Sequence, residues 1–243
     1  MMRASSSESR RAGHAPTGRR AGRDVRELLV ASAAEVFARD GFHASRVSDI
    51  VRGAGVAQGT FYLYFETKEA VFVELVERFF ERILAETLGA HDPRAASTHA
   101  QLVAQVREMW RALIVRCRQE PALVTAILHD ASSLGPEVRA LVLRSYQRLA
   151  EALTGYAMVA AKRGLMRPID PALVGWLVQG LADRAMYYAV LIDPHADADW
   201  LADQLTMAEC GGVLIRWDEA SLERATNRNL VDRERKSRTS KRT

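Results

Sequence analysis

Ser45-Arg46-Val47-Ser48-Asp49-Ile50-Val51-Arg52-Gly53-Ala54, then Gly55-Val56, then Ala57-Gln58-Gly59-Thr60-Phe61-Tyr62-Leu63-Tyr64-Phe65 is a stretch that breaks into two short helices around a glycine. Over 46–54, Val47, Ile50, Val51 and Ala54 recur at helical spacing and form an inward face, with Ser45 as the expected N-cap. Gly55 ends that helix, because glycine accepts the left-handed conformation found there. Val56 follows as a buried hinge-side residue. A second helix is predicted over 57–64, carrying Gln58, Thr60, Tyr62 and Tyr64, a set rich in hydrogen-bond donors. Two short helices joined this tightly have the layout of a helix-turn-helix, whose second helix enters a DNA major groove.

The residue types suit that task. Gly59 has no side chain, so the start of the second helix can approach a sugar-phosphate chain closely. Thr60 and Tyr62 can donate to phosphates. Gln58, near the helix N-terminus, can reach a base edge and suits adenine. Lys68, in the first turn of the next helix, adds its charge to the exposed N–H groups there to grip a further phosphate. Gly53, Gly55 and Gly59 approach a dinucleotide-binding pattern, but the spacing is one residue out and no strand precedes them.

Outward from this motif the chain reads as helix after helix. Residues 24–40 place Val25, Leu29, Ala33 and Val36 or Phe37 on one face, with Gly41 as the stop. Thr67 is placed to cap a long helix running to about 88. Further helices are predicted at 97–119, 121–131, 136–163, 171–191 and 198–216, with Pro121, Pro136 and Pro171 in first turns and Gly164 closing the longest. No stretch shows the strict two-residue alternation of a half-buried strand. The expected fold class is all-α: a three-helix N-terminal helix-turn-helix domain at 24–68, then an all-helical domain at 69–225.

The segments Ser45–Val51, Gly55–Phe65 and Lys68-Glu69 resemble the DNA-binding domain of TetR-family transcriptional regulators. The resemblance covers roughly residues 24–75, with Phe37 and Gly41-Phe42 also in the expected places. It implies that Ser45, Thr60, Tyr62, Tyr64 and Lys68 face phosphates and that Arg46, Ser48, Gln58 and Gly59 lie at or near bases. Ala57 departs from the pattern, standing where the family often has a serine cap. The loss is up to about 1 kcal/mol and leaves the second helix less ordered before DNA binds.

The resemblance also implies a helical domain that dimerises and binds a small molecule, and a repressor released from a palindromic operator by that molecule. Gly164-Leu165-Met166-Arg167-Pro168-Ile169-Asp170-Pro171 looks like the connection before the dimer-forming helices of such regulators. Helix 171–191 is apolar nearly all round. Trp176, Gln179, Asp183 and Tyr187 share one stripe, and Leu173, Leu177, Gly180, Leu181, Arg184 and Tyr188 fill the adjoining face, so burial on two sides is expected, one against a partner chain. Gly211 and Gly212 close a stripe of Leu201, Leu205 and Ala208, where either helix contact or a helix end explains them. A two-fold homodimer would match a pseudo-palindromic site. For the ligand pocket, Trp110, Tyr156, Trp176, Gln179 and Tyr187 are candidates, with Asp183 and His129 as orienting groups; ordinary core packing explains each equally simply. An apolar or amphipathic effector is expected.

Composition agrees with a soluble globule: 243 residues, 48% hydrophobic and 26% charged, with no run long enough to span a membrane. Two cysteines are too few for a disulfide scaffold, and no secretory leader is evident; a cytoplasmic protein is expected. Residues 1–23 hold six arginines against Glu8, net +5, and residues 226–243 hold seven Lys and Arg against two acids, also net +5. Both are expected to be disordered basic tails that suit a polyanion such as DNA, or simply aid solubility. His195, Asp197 and Asp199 fit a helix cap better than a metal site. No nucleophile elbow or phosphate loop occurs, so neither a cofactor nor catalysis is expected. Two rival classes stay open: an adaptor whose helix-turn-helix contacts protein, and a helical enzyme.

Overall fold

The computed structural model describes the backbone of residues 18–130 and 135–211, and the side chains of 24–128 and 135–211. Among them there is no strand. Nine helices occur among the described residues: α1 (Gly18–Asp40), α2 (Val47–Ala54), α3 (Gln58–Phe61), α4 (Lys68–Glu86), α5 (His99–Gln119), α6 (Pro121–Thr125), α7 (Pro136–Lys162), α8 (Pro171–Tyr187) and α9 (Ala198–Thr206). Three of these continue as π-helical turns: α6 through Ala126–Asp130, α8 through Tyr188–Ile192 and α9 through Met207–Gly211. No described helix is long and apolar enough to cross a membrane. The basic segments at 1–17 and 226–243 lie outside the described residues. Helix α1 starts six residues earlier than expected, so residues 18–23 are helical where an arm was predicted. The last five residues of the helix predicted over 198–216 also fall outside.

The small N-terminal domain is built on aromatic rings. Phe37, Phe42 and Phe72 pack with centroids 4.9–5.6 Å apart, tying α1, the following loop and α4 together. Phe61 and Phe65 sit 5.7 Å apart beside them, and Phe61 is fully buried. Each such ring removes a large apolar surface from water, so a few of them suffice to fix a domain this small. Ser32 Oγ on α1 donates to the Ile50 carbonyl at 2.7 Å, pinning α2 across it.

Helix α4 leaves this domain and enters the larger bundle. Thr67 caps it as expected, its hydroxyl accepting from Ala70 N at 3.1 Å. Val71, Phe72, Leu75 and Val76 face the small domain's core, and Phe79, Phe80 and Ile83 continue into the bundle. On the opposite side, Arg26, Glu27, Glu74 and Arg78 form an ion-pair chain between α1 and α4. Farther along, Arg82 pairs with Glu120 at 2.6 Å and Arg116 with Glu86, fastening α4 to α5.

In the bundle α7 and α8 pack along their lengths. Gly175 makes the approach possible: a Cβ there would stand 2.5 Å from the Ala150 carbonyl and 2.9 Å from Thr154 N, both backbone atoms. Helix α9 lies along α5, held by Arg107 to Asp199 at 3.0 Å and to Asp203 at 2.6 Å. Arg118 on α5 donates to three carbonyls, Ala189, Asp193 and Ala196, at 2.7–3.2 Å. Ala189 and Asp193 lie in and just after the π-helical turn that ends α8, and Ala196 lies in the loop beyond, so one guanidinium ties that helix end and its loop to α5.

Candidate nucleic-acid interface and ligand cavity

Gly55 adopts φ 67°, the left-handed conformation that non-glycine residues enter only at a cost, and its turn aims α3 away from α2. The helix that follows is shorter than the predicted 57–64. It is one turn, Gln58–Phe61, and the chain then coils through turns in which Leu63 N donates to the Thr60 carbonyl at 3.2 Å and Phe65 N to the Phe61 carbonyl at 2.9 Å. At its start Ala57 occupies the N-cap and supplies no side-chain hydrogen bond. Phe61 and Phe65, buried beneath, anchor the turn in place of helical length.

One face of this corner is exposed and polar. Arg46, Ser48, Gln58, Gly59 and Tyr62 are all exposed, Tyr62 at 55%. Tyr62 stands edge-on to Phe61 with centroids 5.4 Å apart, so a buried ring steadies an outward phenol. Nothing in the protein approaches within 4 Å of a Cβ at Gly59, leaving open space at that surface. Thr60 and Tyr64 are half-buried, Tyr64 against the core.

Two expected phosphate-facing residues are committed elsewhere. Ser45 is 4% exposed and its hydroxyl donates to the Phe42 carbonyl at 2.6 Å; the α2 N-cap is Arg46, with no side-chain cap bond. Lys68 turns back over the loop. Its Nζ donates to the carbonyls of Phe42 (2.6 Å) and Ser45 (3.0 Å) and lies 4.3 Å from the centroid of the Phe42 ring. Partial burial pulls its pKa below the usual lysine value. Both residues therefore hold the loop between α1 and α2, and they position the exposed face rather than extend it.

A cavity opens between α4, α5, α7, α8 and the end of α9. Its lining is mostly aliphatic, with Met109, Trp110, Leu113 and Met186 prominent, and it encloses about 620 Å³ of space unfilled by atoms, its mouth included. Of the five predicted pocket residues, Trp110 and Gln179 line it. Tyr156, Trp176 and Tyr187 do not. The Tyr156 hydroxyl donates to Gln105 Oε1 at 2.6 Å, Tyr187 lies under the Arg184 guanidinium at 5.4 Å, and Trp176 is 53% exposed on the outside of α8. The periodicity of α8 could not separate Gln179 from Trp176 and Tyr187 because both faces of that helix are apolar. Asp183 does reach the cavity, accepting from the Tyr146 hydroxyl at 2.8 Å and pairing with Arg184. The His129 side chain lies outside those described.

Glu209 and Tyr146 also line the cavity, and sequence reasoning missed both. Glu209 accepts from Trp110 Nε1 at 2.8 Å, and burial raises its pKa to about 7. A signal did exist: Glu209 is the one charged residue between Asp203 and Arg216. Desolvation and the Asp183 carboxylate push the Tyr146 phenol far above its ordinary range, so it remains protonated and a donor. The outer face of α8 is a separate apolar surface, with Leu173 and Leu177 (61% exposed) beside Trp176. Asp197 caps α9 by accepting from Trp200 N at 2.8 Å, and Asp199 is paired with Arg107 and Arg111.

Residues 29–75 match the family model for bacterial regulatory proteins of the tetR family. The chain is similar to the HTH-type transcriptional regulator YdgC of Bacillus subtilis, with 46% identity over 69 residues, covering 28% of this chain and 35% of that one. The chain thus matches about a third of that relative's length. Beyond the small domain the likeness is one of fold. FadR of Bacillus subtilis, solved with stearoyl-CoA, superposes with a TM-score of 0.62 at 24% identity, over 78% of this chain and all of that one. AibR, solved with isovaleryl coenzyme A and operator DNA, superposes with a TM-score of 0.56 at 18% identity, over 76% and 96%. With the glycine corner and its aromatic anchors in place, residues 29–75 form a DNA-binding domain of the tetR type, and the helical bundle beyond it shares the fold of the solved regulators.

Proposed function

We propose that this protein is a DNA-binding transcriptional regulator, most simply a repressor, that a small apolar or amphipathic molecule releases from a pseudo-palindromic operator. One observation carries the reading. Arg46, Ser48, Gln58, Gly59 and Tyr62 form an exposed polar face on a corner whose other side is nailed down by Phe61 and Phe65. Surface turns rarely combine so rigid a base with so donor-rich a front, and that combination is what reading base edges in a groove requires. Gln58 and Arg46 would meet bases, with Tyr62 and Thr60 on the flanking phosphates.

The outer face of α8 supports a homodimer. Leu173, Trp176 and Leu177 in contact with a second copy would bury an apolar surface that is otherwise unusual on a monomer. Two copies of the reading corner related by a two-fold axis then require a site with matching symmetry. Release would work by linkage: a ligand that binds better to the arrangement unsuited to DNA weakens DNA binding by the same factor that DNA weakens ligand binding. Helix α4 joins corner to cavity, with Phe72 at one end and Ile83 at the cavity wall, and is the natural lever.

The test is selection of genomic fragments by the purified protein. A single recurring inverted repeat is expected, bound by a dimer in sedimentation. Binding without sequence preference, or a monomer at micromolar concentration, would overturn the reading.

A further inference from the structure

The chemistry of the cavity wall restricts what can occupy it. The space is narrow, with a water-sized sphere able to centre in only about 70 Å³ of it, so a chain or a flat ring fits and a bulky group does not. Nearly all of the wall is carbon. Its polar groups are few, and the charged ones are both acids, Asp183 and Glu209; no Lys, Arg or His lines the cavity among the described residues. The two acids differ in what they have left to offer. Asp183 already accepts from the Tyr146 hydroxyl on one oxygen and from Arg184 on the other. Glu209 accepts one bond, from the Trp110 indole, on Oε2. A carboxylate has about four acceptor positions, so Glu209 is under-used among apolar neighbours.

We infer that the cavity takes a molecule with an apolar body and a positively charged, hydrogen-bond-donating head, an ammonium or amidinium, received by Glu209. This rests on the cavity being the effector site of the proposed regulator, and it narrows the effector to one chemical class. Among the described residues, a carboxylate or phosphate head placed here would meet two acids and no lining cation, and its burial without a partner is costly. A cationic head gains a charge-assisted hydrogen bond in a water-poor site, where such bonds are strongest. The burial that raises Glu209 to about 7 means that a bound cation would draw off its remaining proton at neutral pH.

Octylammonium, octanol and octanoate share one tail and differ in the head, so calorimetric titration of the full chain with each, without DNA, reads the head alone. Octylammonium is expected to bind at least about tenfold more tightly than octanol, and octanoate most weakly. In Glu209→Gln the ammonium should lose about tenfold while octanol changes less than about twofold. Octanoate binding as tightly as octylammonium, no binding of any of the three, or an unchanged preference in Glu209→Gln would overturn the inference. The ordering on the unaltered chain is decisive even if the variant misfolds. Because no DNA is present, failure here leaves the operator reading untouched, and failure of operator selection leaves this result standing.

Discussion

The two working regions of this chain solve opposite problems with opposite materials. The corner around Gly55 places a polar face outward on a base of Phe37, Phe42, Phe61, Phe65 and Phe72, rings with few ways to rearrange. The cavity places polar groups inward, Glu209 and Asp183 among flexible Met109, Met186 and Leu113 side chains. Unbranched side chains such as Met109 and Met186 repack readily, whereas interlocked rings do not. Under the proposed function, the surface that would match a fixed duplex is held stiffly, and the space that would receive a ligand is held loosely. Helix α4 belongs to both, buried by aromatic packing at its start and fastened by the Arg82–Glu120 and Arg116–Glu86 pairs at its end.

The contrast can be broken from either side, and the largest effect should come from the corner. Phe61→Ala removes a fully buried ring and should cost about 3–5 kcal/mol in denaturant unfolding, abolishing DNA binding with it. Tyr62→Ala, one residue on and exposed, should leave stability within about 0.5 kcal/mol while weakening DNA binding. Equal destabilisation by the two would mean that the corner is not divided into base and face.

From the cavity side, Glu209 should make stability depend on pH. Its folded pKa of about 7 lies above the ordinary value of 4.5, so the protonated form is favoured by folding. That contribution is present in full below about pH 4.5 and is lost as pH rises through about 7, roughly 3 kcal/mol in all. Glu209→Gln should remove this slope and melt higher than the unaltered protein at pH 8. An identical pH profile in the two proteins would place Glu209 in contact with water.

Helix α8 offers a smaller and two-signed test. Gly175→Ala drives a methyl into the backbone of α7 and should cost about 1–3 kcal/mol in thermal unfolding. Gly180→Ala meets open space on the exposed face and should gain up to about 1 kcal/mol in helix propensity at concentrations where the chain is monomeric. The smallest effect concerns the basic residues before α1. Removing residues 1–17 should flatten the dependence of log affinity for DNA on log salt, by about one unit of slope for each phosphate no longer neutralised, and leave the choice of sequence unchanged. An unchanged slope would remove those arginines from the interface.

The corner is far more legible in the sequence than the cavity, for a physical reason. Glycine, a capping Thr67 and aromatic residues each have few structural uses, so their spacing specifies a local geometry without reference to the rest of the chain. The departures there are local too. Ser45 and Lys68 have the chemistry of phosphate ligands, yet both donate to loop carbonyls, Ser45 three residues back and Lys68 across more than twenty, and spacing reveals neither choice. The cavity is made where four helices and the end of a fifth meet, and a stripe of apolar residues looks alike whether it faces a partner chain, a core or a void. Spacing therefore cannot separate Trp110 and Gln179, which line the cavity, from Trp176, which faces outward.

The most direct measurement is footprinting of the selected DNA with the unaltered protein and with Gln58→Ala. If the exposed corner reads bases, the unaltered protein protects two half-sites separated by about one helical turn or a multiple of it. The variant should keep its fold but lose about 1–3 kcal/mol of discrimination at one base pair in each half-site. Identical footprints and identical base preference for the two proteins would contradict that role for α3.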